Sequence, residues 1–360
     1  MSERGPIRRP PPPRGLSLTR RLAITGGSGL ATLGVFLMLL ALVAVWLYQG
    51  PGPAAHNGQP TNVILRPGAS LPEIAATLKR EHAISSSTIF ILTAQISGAA
   101  RHLKAGEYDF APHASMASVM GMIRRGEIVH HMLTIPEGLT SEAAVDILTN
   151  DDVLTGSAPI PPEGAILPET YEVRRGEDRA AVLQRMMDAR DQLLAGLWAQ
   201  RRPDLPVATP EEAVILASIV EKETALASER PRVAAVFENR LQKGMKLESD
   251  PTVIFGVSRG VPLGRGLTES ELKASTPYNT YVIPGLPPTP ICNPGRASLA
   301  AVLDAPRTDE LYFVADGSGG HAFSSTLEQH QKNVAQWRLI EHGAKPPAPA
   351  LIPAPVAGAH

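Results

Sequence analysis

The sequence predicts an α+β protein that consists of one N-terminal membrane-spanning helix, a small α+β module and a larger mixed α/β domain. The prediction depends on an uncharged apolar stretch near the N-terminus, short strand-turn-helix patterns after it, and capped helices in the second half. With 360 residues, 43% hydrophobic and 19% charged, the chain is long and apolar enough for two sizeable cores. The formal net charge of -1 argues against nucleic acid as a partner.

The N-terminal helix is predicted from residues 22–48, which carry no charge. Their apolar core reaches the roughly 18 to 20 residues that a spanning helix needs. Arginines dominate the charged residues before it, which predicts a cytoplasmic N-terminus. A cleaved signal peptide is the alternative, but its apolar core would span only about 7 to 15 residues. We therefore expect a cytoplasmic Pro/Arg-rich tail at residues 1–28 and an uncleaved transmembrane helix at residues 29–48.

Residues 60–155 are predicted to form the small α+β module, because short β-like runs alternate with short helices. Strands are expected at residues 63–65, 108–110 and 133–135, and each precedes a helix with one apolar face. This unit resembles the LysM-like modules that hold N-acetylated glycans. A plain spacer domain is the alternative.

An apolar helix is predicted to begin at Pro210 and to end in the sequence Glu-Lys-Glu-Thr at residues 221–224. Proline fits the first position of a helix. Thr209 is placed to cap this helix, and Glu212 to complete a capping box. The register of its side chains can therefore be predicted.

The two carboxylates at the end of this helix, Glu221 and Glu223, are the main chemical candidates. They are two residues apart and face different directions, so at most one is expected in a cleft. Glu223 continues the apolar stripe of Leu216 and Val220. Burial of a charged carboxylate is costly, which favours Glu223 as a protonated acid. A surface Glu-Lys-Glu cluster is an equally good alternative on spacing alone.

Several other chemistries lack the residues that they need. The sequence has no His-Glu-x-x-His, no paired Cys-x-x-Cys and no Gly-x-Ser-x-Gly, and Cys292 is its one cysteine. We therefore predict no metal site and no cofactor. Residues 278–281, with two tyrosines, Asn and Thr, suit a sugar, although the loop could equally pack on its own domain.

A series of motifs in the C-terminal half resembles, in order, the endolytic murein transglycosylases of the YceG-like family. The matching segments are residues 216–224, 239–241, 250–254, 276–281, 285–288, 312–317 and 320–324. Residues 104–108 and the N-terminal anchor are also similar to that family. One departure is Glu169, where the family usually has Asp, and we assign that residue no role.

The resemblance implies an enzyme that cleaves the β-1,4 bond between N-acetylmuramic acid and N-acetylglucosamine in peptidoglycan and forms a 1,6-anhydro end. The family's catalytic glutamate corresponds to Glu223, which would act as acid and then as base. One carboxylate suffices because the muramoyl 6-hydroxyl is the nucleophile. The resemblance places this catalytic domain at residues 160–340, outside the cytoplasm at the bacterial inner membrane, and we expect a disordered Pro/Ala-rich tail at residues 341–360.

Further residues are predicted to bind substrate or to shape the site: Glu221, Arg240, Asp250, Tyr278, Asn279, Thr280 and Tyr281. Arg240 and Asp250 are expected to pair across the cleft, although Arg240 could serve only as a helix-end salt bridge. Residues 278–281 are expected to bind the glycan and to steady its N-acetyl group. Glu221 is either a second carboxylate behind the site or a solvent-facing one.

The partners implied are peptidoglycan strands, the membrane and the peptidoglycan synthases beside which the enzyme would trim nascent strands. Two alternatives for the whole protein remain open. One is a muramidase that uses water as the nucleophile, and the other is a non-catalytic peptidoglycan-binding scaffold for cell-wall synthases.

Overall fold

The computed structural model describes the backbone of residues 18–54 and 58–341, and the side chains from residue 31 onward within these ranges. Of the predicted terminal tails, residues 1–17 and 342–360 lie outside the described residues. The chain divides into two compact units, residues 1–129 and residues 130–360. Its architecture is mixed α+β, as predicted, with three two-stranded antiparallel sheets in the described part.

Helix α1 (Leu18–Gln49) contains the predicted transmembrane segment but begins earlier, at Leu18. Its portion Ala31–Gln49 is long and apolar enough to cross a membrane, and none of that portion is buried. Within the residues that the structure describes, this is the one helix with those properties.

The first unit is built on the antiparallel pair β1 (Thr61–Leu65) and β2 (Gly106–Phe110). Helices α2 (Leu71–Arg80), α3 (Ser87–Ile96) and α4 (Met116–Arg125) complete it. The largest of its fully buried side chains are Tyr108, Phe90, Phe110, Leu78 and Ile123. The strand and helix predictions for β1, α2, β2 and α4 are therefore confirmed, whereas the likeness to LysM remains a prediction.

The first unit ends at Val129, earlier than the predicted boundary near residue 155. Strand β3 (His131–Thr134) pairs antiparallel with β4 (Thr170–Val173), which lies beyond that boundary. The helices α5 (Ser141–Asn150) and α6 (Arg179–Ala199) share one hydrophobic cluster with these strands. The repeated strand-turn-helix pattern did not reveal this, because a local pattern does not specify which distant strand is the partner.

The rest of the second unit includes one buried helix, α7 (Pro210–Glu223), in which every residue from 216 to 220 is buried. The other helices and strands are α8 (Arg230–Gln242), α9 (Asp250–Ser258), α10 (Glu269–Lys273), α11 (Arg296–Leu303), β5 (Tyr312–Ala315), β6 (His321–Ser324) and α12 (Leu327–Glu341). Helices α6, α8, α9 and α11 contact α7. Strands β5 and β6 form a hairpin around the glycines of residues 317–320.

The start of α7 follows the predicted capping chemistry with one difference. The hydroxyl of Thr209 accepts the backbone N–H of Glu212 at 3.2 Å, as an N-cap does. The carboxylate of Glu212 accepts the N–H of Ala208 at 2.6 Å rather than that of Thr209. The reciprocal bond of the capping box is therefore displaced by one residue, and the register of α7 is as predicted.

We expect Phe237→Ala to lower the free energy of unfolding of the second unit by about 3–5 kcal/mol, because large-to-small core changes leave a cavity. Phe237 is 1% exposed, and its ring meets that of Phe313 edge-on with 5.8 Å between centroids. Urea denaturation of the solubilised protein measures the loss. Leu339→Ala, at a residue 59% exposed, is the control and should change stability by less than about 0.5 kcal/mol. Equal effects of the two changes would contradict the packing of the hairpin on α8.

Candidate active site

Glu223 is the last residue of α7. The residue as a whole is partly exposed, but its carboxyl group is packed among protein atoms. Its Oε1 accepts a hydrogen bond of 2.5 Å from the hydroxyl of Ser249. Burial raises the pKa of Glu223 from 4.5 to about 7, against a smaller lowering by the Ser249 hydrogen bond. Near neutral pH the group can therefore both give and take a proton, as a general acid-base catalyst must.

Ser249 was not identified from the sequence, although it holds the carboxyl group of Glu223. It occupies the N-cap position of α9, where serine usually caps with its side chain, yet it makes no such bond. Its backbone N–H donates to Thr280 Oγ1 at 2.9 Å, and the hydroxyl of Thr252 donates to its carbonyl at 2.7 Å. These two bonds fix the serine while its own hydroxyl points to Glu223. The available signal in the sequence was a serine directly before Asp250-Pro251.

Asp250 and Tyr281, both predicted as site residues, lie near Glu223. The hydroxyl of Tyr281 donates to Asp250 Oδ1 at 2.8 Å. The negative charge of Asp250 contributes to the raised pKa of Glu223. Burial is the largest cause of a raised pKa of Tyr281, and the hydrogen bond to Asp250 is the next largest. Tyr281 consequently remains protonated and able to donate a hydrogen bond beside the carboxyl group.

The predicted pairing of Arg240 with Asp250 is wrong. Arg240 is 7% exposed, and its guanidinium donates to the carbonyls of Leu311 at 2.7 Å and Leu247 at 2.8 Å. Its carboxylate partner is Glu248, at 3.4 Å. Because the guanidinium binds carbonyls from two separate segments, Arg240 links those segments. The alternative that Arg240 serves only as a helix-end salt bridge is therefore also wrong. Its positive charge still lowers the pKa of Glu223.

Direct contact of Asn279 and Thr280 with a glycan is also contradicted, because both residues are fully buried. Thr280 supports the backbone of Ser249. Asn279 Oδ1 accepts the N–H of Tyr281 at 3.0 Å, which fixes the chain at that tyrosine. The amide nitrogen of Asn279 donates to the carbonyls of Glu271, Leu272 and Ala274. These two residues therefore position the loop and the serine rather than the substrate.

Tyr278 faces away from this group. Its ring meets that of Phe255 edge-on with 5.0 Å between centroids, and its hydroxyl lies 2.8 Å from Thr289 Oγ1. It lines a cavity in which Glu223 takes no part. The four residues of the predicted sugar-binding loop thus divide into one beside Glu223, two that are buried, and one in a separate cavity.

Glu221 is neither at the surface nor beside Glu223, because its side chain is 5% exposed and fully bonded. Its Oε2 accepts the hydroxyl of Ser298 at 2.7 Å and the N–H of Gly295, the N-cap of α11, at 3.0 Å. Its Oε1 pairs with Arg230 at 3.1 Å. The surface alternative is therefore wrong, whereas the two carboxylates do face different directions, as their spacing predicts. Glu221 fastens α7 to α8 and α11.

A carboxylate-imidazole pair near Glu223 was also missed. Glu229 Oε1 accepts the backbone N–H of His321 at 2.9 Å, and its Oε2 lies 2.7 Å from His321 Nδ1. Gly320 permits this approach, since a Cβ at that position would meet Glu229 Oε1 at 2.7 Å. His321 contributes to lowering the pKa of Glu223, so the ring lies close enough to act on it.

Metal ligands are not grouped at this site. Over residues 31–54 and 58–341, no three side chains of His, Cys, Asp or Glu lie together in a way that could hold a metal ion.

Comparison with known proteins shows the family to which this chain belongs. A sequence model of the YceG-like family matches residues 63–336, and the chain belongs to this family. A relative from Bacillus subtilis (strain 168), named endolytic murein transglycosylase, is 28% identical over 75% of this chain and 83% of its own. A relative of the same name from Streptococcus pneumoniae (strain D39) is 26% identical over 84% of this chain and 64% of its own.

One solved structure is also similar. The crystal structure of a YceG-like protein from Listeria monocytogenes is 28% identical to this chain. The match covers 76% of this chain and 98% of that chain, with a TM-score of 0.48.

We expect Glu223→Gln to be more stable than the natural protein at pH 8 and equally stable at acid pH. The folded protein binds the proton on the Glu223 carboxyl group more tightly than the unfolded chain does. Between about pH 4.5 and 7 the natural protein therefore loses stability as pH rises. A change in pKa from 4.5 to about 7 corresponds to at most about 3 kcal/mol. Denaturation at several pH values measures the difference. Burial also raises the pKa of Glu238 to about 7, but Glu238 is present in both proteins, so its effect on stability cancels in the difference between them. A difference that does not change with pH would contradict the raised pKa of Glu223.

Proposed function

We propose that this protein is a membrane-anchored endolytic lytic transglycosylase that cleaves the β-1,4 bond between N-acetylmuramic acid and N-acetylglucosamine in peptidoglycan. The observation that carries the proposal is the partly exposed Glu223, with a pKa raised to about 7 and a hydrogen bond from Ser249. The names of the curated relatives support peptidoglycan as the substrate.

The proposed reaction uses the Glu223 carboxyl group twice. In the first step, protonated Glu223 gives its proton to the glycosidic oxygen, the bond from that oxygen to the anomeric carbon breaks, and N-acetylglucosamine leaves with a free 4-hydroxyl. In the second step, the muramoyl 6-hydroxyl attacks the anomeric carbon and Glu223 takes its proton, which closes a 1,6-anhydro ring. A pKa near the working pH suits both transfers. The Ser249 hydroxyl stabilises the carboxylate between them.

The other site residues have supporting roles in this proposal. Arg240, Thr280 and Asn279 hold the segments that carry Ser249 and Tyr281. Tyr281 provides a protonated hydroxyl near the reacting carboxyl group. His321, held by Glu229, adds a ring nitrogen, Nε2, that has no hydrogen bond to any residue in the described part of the chain.

A water-using muramidase is the second candidate, and Asp250 is the observation that favours it. Such an enzyme needs a second carboxylate to activate water or to act as a nucleophile. Asp250 is near enough to Glu223 to raise its pKa, and only its Oδ1 is engaged by Tyr281. The two candidates differ in their products, since hydrolysis leaves a reducing end and internal attack leaves an anhydro end.

The N-terminal helix is the proposed anchor. Its apolar length supports membrane insertion, and the arginines before it support a cytoplasmic N-terminus with the second unit outside the cytoplasm. An anchored active site would lie where new strands leave the membrane. We therefore propose that it trims or terminates nascent strands beside peptidoglycan synthases, with glycan also held by the LysM-like module. A non-catalytic scaffold would bind strands without cutting them.

We expect Glu223→Gln to reduce the release of anhydro-ended fragments from purified glycan strands by at least about 100-fold, because the amide can neither give nor take the proton. Glu269→Gln, which changes an exposed carboxylate paired with Lys273, is the control and should keep full activity. Mass spectrometry of the fragments also separates the two reactions, since an anhydro end is lighter than a reducing end by one water. Full activity of Glu223→Gln would refute the assignment, and reducing ends from the natural protein would establish the muramidase.

The proposed topology can be tested with single cysteines. Cys292 is 1% exposed, so the natural protein should react little with a membrane-impermeant maleimide and provides the blank. We expect Ser270→Cys, at an exposed residue of the second unit, to be labelled in spheroplasts, and Ser2→Cys to be labelled only after the membrane is opened. Labelling of the two variants in the opposite order would show that the orientation is reversed.

A further inference from the structure

A cavity of about 640 Å³ in the second unit has no role in the reaction proposed above. Its walls are largely apolar and come from α6, α7, α9 and the loops around them. The side chains that matter here are Ile160, Met187, Val214, Ile215, Phe255 and Tyr278. Tyr278, which the sequence had indicated as a sugar contact, is therefore part of this cavity.

The rim of the cavity carries charges of both signs. The guanidinium of Arg259 lies over the rings of Phe255 and Tyr278, 5.7 Å and 5.4 Å from their centroids. Arg259 has no carboxylate partner among residues 31–54 and 58–341, and the side chains of Glu142 and Glu211 make no ion pair or hydrogen bond there either. An arginine held on aromatic rings without a carboxylate of its own is suited to bind one from a ligand.

The cavity lies within reach of Glu223. Ile215 in its wall and Glu223 are eight residues apart on α7, which corresponds to about 12 Å at 1.5 Å per residue. A second cavity of about 340 Å³ shares the wall residue Phe255 and extends to Lys222 and Pro251. Those two residues are the chain neighbours of Glu223 and Asp250. The two cavities thus meet at Phe255, and the second one extends to residues next to Glu223 and Asp250 in the chain.

The chemistry of the walls favours a peptide over a sugar. A glycan needs many hydrogen-bonding partners for its hydroxyl groups, and these apolar walls provide few of them. A short peptide with small apolar side chains and a carboxylate placed at Arg259 matches these apolar walls, and the unpaired Glu142 and Glu211 at the rim suit a cationic group of the same peptide. In peptidoglycan such a peptide hangs from the lactyl group of N-acetylmuramic acid, the sugar whose bond would be cut. Five extended residues span about 17 Å, more than the distance to be covered.

We propose that this cavity binds the stem peptide of the N-acetylmuramic acid at the cleavage site, with a stem carboxylate on Arg259. The proposal depends on the proposed function, because the stem must belong to the strand held at Glu223. The consequence is a preference for strand regions that still carry their stems, so that the cavity helps to select where a strand is cut.

The test compares glycan strands that carry stems with the same strands after an amidase has removed them. We expect the natural protein to cleave the stem-bearing strands faster. Arg259→Ala should reduce that preference by about tenfold, as expected for the loss of one charge-assisted hydrogen bond, and should leave the rate on bare strands within about twofold. Arg338→Ala, which removes an exposed arginine of α12 outside the cavity, is the matched control and should change neither rate.

Equal rates of the natural protein on the two substrates would overturn the proposal. An equal loss on both substrates with Arg259→Ala would also overturn it, since the arginine would then act on folding or on the glycan. A binding measurement separates this proposal from the proposed function. Free stem peptide should bind to full-length Glu223→Gln protein and about tenfold more weakly when Arg259→Ala is added. Absence of peptide binding would overturn the cavity assignment whether or not strands are cleaved.

Discussion

The structure of the second unit depends on how the buried helix α7 ends. A helix whose last turns are surrounded by core must either satisfy its carboxylates or leave them protonated, because an unpaired buried charge is costly. The carboxylate of Glu221 is satisfied by Arg230, Ser298 and the N–H of Gly295. Glu223 receives only the hydroxyl of Ser249, so burial prevails and its pKa rises to about 7. One helix end therefore carries both a carboxylate that anchors the helix and a carboxyl group whose pKa is near neutral pH.

The surroundings of Glu223 balance opposite effects. Burial and the charge of Asp250 favour the protonated form of Glu223, whereas the Ser249 hydrogen bond, His321 and the charge of Arg240 favour its carboxylate. In the proposed reaction Glu223 first gives and then takes a proton, and a strong shift of its pKa in either direction would impede one of the two steps. The segments that carry these groups are fixed by buried hydrogen bonds, of which those of Arg240 to the carbonyls of Leu247 and Leu311 link separate parts of the chain.

Much of the local structure could be predicted from the sequence. Strand β1, the helices α2 and α4, the start of α7 and the β5–β6 hairpin all follow from side-chain periodicity, caps and glycine turns. The boundary between the units could not be predicted in this way. Strand β3 resembles β1 in its local pattern, but its hydrogen-bonding partner is β4, and only tertiary pairing assigns it to the second unit.

For the candidate site, the sequence by itself determined the chemical type of the key residue and its face on the helix. The apolar stripe and the register from the N-cap favoured Glu223, and in the structure the pKa of this group is raised to about 7. Only the tertiary structure decided the partners. Asn279 and Thr280 have polar side chains of the kind that bind sugars, but both residues are buried. Ser249 is a residue type that usually caps a helix, but its hydroxyl bonds to Glu223 instead. The reason is physical, because a side chain's donors and acceptors are known from its type, whereas the group that satisfies them depends on which distant segments pack against it.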